Sequence, residues 1–227
     1  MNKILLSLII LAFAGTAASA DGVISFSTIF LDSTGKLSFV YPTSLPSHHA
    51  LQELQKNFVR QKFGEKFIGQ EPAAALSSYK NQNGNELEYL SDSVYFPLPG
   101  IVQYITSYYV HDMWGSDIGI YKVSDGKKID IASIFNKNWE KDVVKLIVRE
   151  FLHSQNLYSL ENYNYTQNEK DFTPKDVKIS EYGGLEFVYP ISKIAPGAAG
   201  EQIIFLSWGT LKPYLNPQSV IYSRIRF

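Results

Sequence analysis

Residues 183–215 constrain this chain more than any other stretch. They read GGLEFVYPISKIAPGAAGEQIIFLSWGTLKPYL. Leu185 to Tyr189 is a run of strand length, and Pro190 ends it, because proline has no N–H to donate to a ladder. Pro196 pushes Ala195 toward extended backbone, while Gly197 and Gly200 permit angles closed to other residues. Only Ala198 and Ala199 lie between those glycines, so the loop can lie close against its neighbours. Ile203 to Leu206 then predicts a second strand, apolar enough to be central and buried in its sheet. A short helix-like turn follows and ends at Pro213-Tyr214-Leu215. A strand, a tight loop of small residues and a second strand make a sheet corner.

The whole string is more particular than its punctuation. Tyr189-Pro190, Ile194-Ala195-Pro196, Ala198-Ala199-Gly200, an apolar strand and Leu211-Lys212-Pro213-Tyr214-Leu215 follow in order. Upstream, Gly126-Lys127-Lys128-Ile129-Asp130-Ile131 precedes Ile134-Phe135 and a helix-like segment. In this the chain resembles the C-terminal extracytoplasmic domain of RsiV-type anti-sigma factors, a domain also found beside peptidoglycan deacetylase domains. The resemblance covers nearly all of the chain after its leader, weakly in the first half and firmly from Gly183 to Leu215. Two positions depart from the usual pattern. Gly197 stands where an aromatic residue is usual, and Tyr109-Val110-His111-Asp112 replaces a Gly-Ala-His triplet, so that only His111 carries over. The resemblance implies a secreted or periplasmic, non-catalytic module that binds a protein or cell-wall ligand, with a lysozyme as the sharpest candidate.

Composition narrows the classes. With 21 basic and 22 acidic residues the formal charge is −1, so no basic nucleic-acid surface is expected. Apolar residues at 45% supply a real core, and 15 Tyr with 14 Phe suit pleated surfaces as well as a sugar- or protein-binding face. The absence of cysteine excludes disulfides, thiolate metal sites, a cysteine nucleophile and a lipid-anchored cysteine.

Residues 1–20 read as a secretory signal: Lys3, an apolar run from Ile4 to Phe13, and Ala18-Ser19-Ala20 as the cleavage site. No later run is long enough to cross a membrane. From Val23 to Tyr41 alternation on either side of residues 32–36 predicts a hairpin. Ser47 caps a helix running to about Phe63, with Leu51, Leu54 and Phe58 facing inward. Lys56, Arg60, Lys62 and Lys66 fall on its opposite side and read as a solvated face, or as a patch for an anionic partner. A short helix is expected over 71–79. Strands are expected over 87–96, 101–110 and 118–123, with a further strand over 128–131 after the Asp125-Gly126 turn. A second long helix covers about 139–153, a surface loop 155–175, a hairpin 177–189, and an alternating strand 220–227. The fold class is therefore α+β, an antiparallel sheet packed on one side by two main helices. Its parts are the signal (1–20), an N-terminal α+β part (21–155) and a C-terminal RsiV-like part (156–227) sharing the sheet.

Motifs for chemistry are sparse. The chain has no His-Glu-x-x-His pair, phosphate loop, dinucleotide fingerprint or Gly-x-Ser-x-Gly elbow. His48 and His49 are adjacent, so deacetylase metal chemistry does not carry over, and no cofactor or metal is expected. The candidate ligand-binding residues are Tyr108, Tyr109, His111, Asp112, Trp114 and Asp117. His111, Asp112 and Asp117 could hold a cation or polarise a water, or form an ordinary turn between strands. The aromatic residues could stack on a sugar or a partner, or pack against the core. The alternative function is an envelope enzyme acting on peptidoglycan or a related polysaccharide. A third reading is a structural envelope protein whose exposed sheet edge pairs with a partner.

Overall fold

The computed structural model describes residues 17–19, 22–31, 33–110, 113–163, 165 and 168–225. By their contacts the residues divide into two units, Met1–Phe96 with Tyr104–Lys128 and Pro97–Gln103 with Ile129–Phe227. The class is α+β, as expected, and the strands among the described residues fall into three antiparallel sheets of three.

In the first unit, β1 (Ala17–Ser19), β2 (Gly22–Phe30) and β3 (Ser38–Ser44) form one antiparallel ribbon. Most of the expected leader lies outside the described residues; its residues 17–19 are β1, so cleavage after Ala20 would remove that strand. Helix α1 (His48–Phe63) starts where the sequence says it should. Ser47 is extended, and its Oγ accepts from the Ala50 N–H at 3.3 Å. Leu54 and Phe58 are fully buried, as their helical spacing demands, and Gly64 closes the helix by donating to the Arg60 carbonyl at 2.9 Å. Helix α2 (Pro72–Asn83) follows, with proline in its first turn.

The second sheet has the order β4 (Leu87–Leu98), β5 (Ile101–Val110), β6 (Met113–Lys122). Alternation on β5 puts Val102, Tyr104 and Thr106 inside. Phe58 of α1 stacks on Tyr104, with ring centres 3.9 Å apart and planes 10° apart, and sits 5.5 Å from Tyr121 of β6. This aromatic stack joins α1 to the sheet. The close approach rests on Gly119 of β6, where a Cβ would lie 2.1 Å from Gln61 Oε1 and 2.5 Å from the Tyr121 ring.

The second unit holds a short α3 (Ile131–Ile134), the long α4 (Glu140–Ser154), the sheet β7 (Asp176–Ser180), β8 (Gly184–Tyr189), β9 (Gln202–Ser207), and α5 (Trp208–Leu211). Helix α4 buries Val143, Val144, Ile147, Val148 and Phe151 and packs on β9. It therefore belongs to the same unit as the C-terminal strands.

Three expected elements differ. Residues 128–131 make a single bridge, Tyr121 with Lys128, and then enter α3, because the Asp130 carboxylate caps the Ala132 N–H at 3.1 Å. Residues 220–225 form a turn and a 3-10 turn, not a strand. Ile221 and Ile225, four apart, both point inward, and the Ser219 hydroxyl accepts from the Tyr222 N–H at 3.1 Å. Strand β9 is an edge strand, and Ile203 and Phe205 are 53% and 40% exposed. Only its alternate residues, Ile204 and Leu206, are buried.

Candidate functional site: an aromatic face and a buried charged cluster

Strand alternation splits the four described candidate residues, Tyr108, Tyr109, Trp114 and Asp117, between two faces. Trp114 of β6 is 54% exposed, and its neighbour Met113 is 62% exposed. The Trp114 ring lies 5.1 Å from Tyr109 of β5 and 5.1 Å, edge-on, from Tyr89 of β4. One aromatic from each strand of the sheet thus meets on one face. Edge-to-face contacts of this kind hold rings in fixed orientation while leaving a ring face open to a partner.

Tyr108 and Asp117 belong to the other face. The Tyr108 ring covers Gly115, where a Cβ would lie 2.6 Å from it. The Asp117 carbonyl accepts from Gln61 Nε2 at 2.9 Å. Burial, with the Asp117 carboxylate as second cause, raises the Tyr79 hydroxyl on α2. Asp117 therefore faces the helices, away from Trp114. His111 and Asp112 lie outside the described residues. Among the described residues no group of three or more His, Asp or Glu is placed to hold a metal.

Tyr89 is the member of the face that sequence reading misses. It sits between Leu87 and Leu90 in a run without regular alternation, and only the strand order β4-β5-β6 brings it to Trp114.

The second chemically distinctive place is inside the first unit. Lys62 of α1, expected on a solvated basic face, is fully buried. Its Nζ lies 2.6 Å from Asp92 Oδ2 of β4 and donates to the Ser38 carbonyl at 2.5 Å. Asp92 Oδ2 also accepts from the Val40 N–H at 2.8 Å. The Phe39 and Phe63 rings lie 5.5 and 5.9 Å from the ammonium. Burial lowers Lys62 to about 8, against the opposing pull of Asp92, and burial raises Asp92. Tyr104 stands close enough to Asp92 for the two to shift each other's ionisation, and burial pushes its hydroxyl well up. Yet Asp92 Oδ1, Tyr104 Oη and Thr106 Oγ1 have no hydrogen bond of normal geometry among the described residues. With both charged side chains at 0% exposure, no ligand at the surface reaches them. The cluster ties β3, β4 and α1 together.

A shallow cleft of about 340 Å³ lies along α1. Tyr41, Gln55, Lys56, Val59, Glu71 and Pro72 are among the residues that line it.

No protein-family model and no curated protein matches the sequence. Solved structures do match the fold. One is the crystal structure of a member of the DUF3298 family from Bacteroides fragilis NCTC 9343, at TM-score 0.66 and 15% identity, covering 95% of this chain and 98% of that one. Another is a DUF3298 family protein from Pseudomonas aeruginosa PAO1, at TM-score 0.60 and 14% identity, covering 92% and 95%. The chain thus has, over nearly its whole length, the fold seen in these DUF3298 proteins, and at such identities the likeness concerns fold alone.

Proposed function

We propose that this protein is a non-catalytic binding module of the bacterial cell envelope, exported by its N-terminal leader, with a lysozyme or a cell-wall glycan as its ligand. The observation that carries this reading is the aromatic face on which Trp114, 54% exposed, meets the half-buried Tyr109 and Tyr89. Tryptophan and tyrosine are the residues that concentrate binding energy at protein interfaces, and their open ring faces also stack on sugars. The resemblance of residues 183–215 to the RsiV-type domain selects lysozyme among protein ligands.

Calorimetry tests it. The exported protein, Asp21 to Phe227, is titrated with a panel of lysozymes and, in parallel, with purified peptidoglycan fragments. The expected result is saturable binding to one of them that Trp114→Ala weakens by roughly 30-fold or more, the loss of a hot spot of about 2 kcal/mol. Binding that Trp114→Ala leaves intact would move the site away from this face. Turnover of the glycan fragments would replace the binding module with an enzyme.

A further inference from the structure

The two edges of the β7-β8-β9 sheet are built differently. The β7 edge is closed by a side chain. Gln103 Oε1 accepts from the Ile179 N–H at 2.7 Å, and its Nε2 donates to the Ile179 carbonyl at 3.4 Å, so the amide occupies the place of a neighbouring strand. Strand β7 also carries Asp176 and Lys178, charges of the kind that discourage edge pairing. The β9 edge has none of these devices. Gln202-Ile203-Ile204-Phe205-Leu206-Ser207 contains no charge and no proline. It pairs with β8 over all six residues without a bulge. Among the described residues β8 is its only strand partner. On its outer face Ile203 and Phe205 stand exposed.

The spacing of those two residues says what fits. When a strand pairs antiparallel with its own copy about a two-fold axis through Ile204, residue 203 faces residue 205 of the copy, and 205 faces 203. Both outer-face pairs are then Ile against Phe, the β-branched–aromatic combination that cross-strand contacts favour. The closest charge, Glu201, falls opposite Ser207 of the copy, so no like charges meet. A heterologous peptide would need its own matching pattern; the copy already has it. We propose that β9 is a self-association edge, through which two copies of this chain form a two-fold dimer with a continuous six-stranded sheet. This is a surface independent of the aromatic face, and it stands whether or not that face binds an envelope ligand.

Sedimentation of the exported protein gives the first reading. A single strand pair buries less than a standard interface, so the dimer should hold at concentrations on the order of 100 µM and dissociate on dilution toward about 1 µM. Ile203→Lys and Phe205→Lys, both at exposed positions, should leave the circular dichroism spectrum unchanged and give monomer throughout. The register is read by disulfide capture, which the absence of native cysteine makes clean. An Ile203→Cys chain mixed with a Phe205→Cys chain should cross-link on oxidation far faster than either alone, because only the mixed pair sits directly opposite. A monomer at every concentration, including one that binds an extended peptide at this edge instead, overturns the proposal. So does a dimer that both lysine variants leave intact, or cross-linking with no preference for the mixed pair.

Discussion

Lys62 shows how far one residue can depart from its position on a helical wheel. It lies four residues after Phe58, and that spacing is compatible with the buried side of α1. Its company of Lys56, Arg60 and Lys66 instead suggests solvent. The deciding partner is Asp92, 30 positions away and invisible to any local pattern. A buried ion pair is expensive to assemble, but removing one half is worse, because the other charge stays stranded. Asp92→Ala is therefore expected to cost about 3–5 kcal/mol in urea denaturation. The double variant Lys62→Met with Asp92→Leu should be more stable than Asp92→Ala alone, since no charge is left behind. A double variant less stable than the single one would mean that the pair contributes net stability. By contrast, Trp114 and Tyr109 are legible as candidates, because aromatics flanking a turn stand out in the sequence; their partner Tyr89 is not, because nothing local links it to them.

At the scale of elements, the helices were the most readable parts. Helix α1 carries its own start signal, the Ser47 cap, and its own stop, Gly64 at φ 94°. Ser47→Ala removes the acceptor for the Ala50 N–H and should lower stability by about 1 kcal/mol, measured by thermal or urea unfolding. Ser47→Asp should restore it, since an aspartate accepts the same bond. Strands were readable as runs, not as positions. The apolar string Ile203 to Leu206 looked central, yet pairing order puts β9 at an edge, and only the alternate residues Ile204 and Leu206 are covered. The C-terminal string from Val220 alternates like a strand, but Ile221 and Ile225 are both buried because the chain turns there.

For the molecule as a whole, the buried pair gives stability a pH dependence of determined sign. An unperturbed lysine titrates at 10.5, and Lys62 in the folded protein at about 8. Between those values the unfolded chain holds the proton and the folded one does not, so Lys62 makes stability rise with pH across that window; below about 8 both states hold the proton and its contribution levels off. From pH 8 to 9.5 this is worth about 2 kcal/mol. Urea midpoints at pH 7.5 and 9.5 should show the rise, and the double variant Lys62→Met with Asp92→Leu should lose it. Equal slopes in both proteins would place the titration elsewhere.

Composition, punctuation and periodicity determined the α+β class, the two long helices with the Ser47 cap of the first, and the hairpins, because those features rest on contacts a few residues apart. Three outcomes were decided by tertiary structure alone: the burial of Lys62 against Asp92, the meeting of Tyr89 with Trp114, and the exposure of β9. Each depends on which strand lies beside which. Strand order is set by how whole faces are buried, a sum over distant residues that no local window contains.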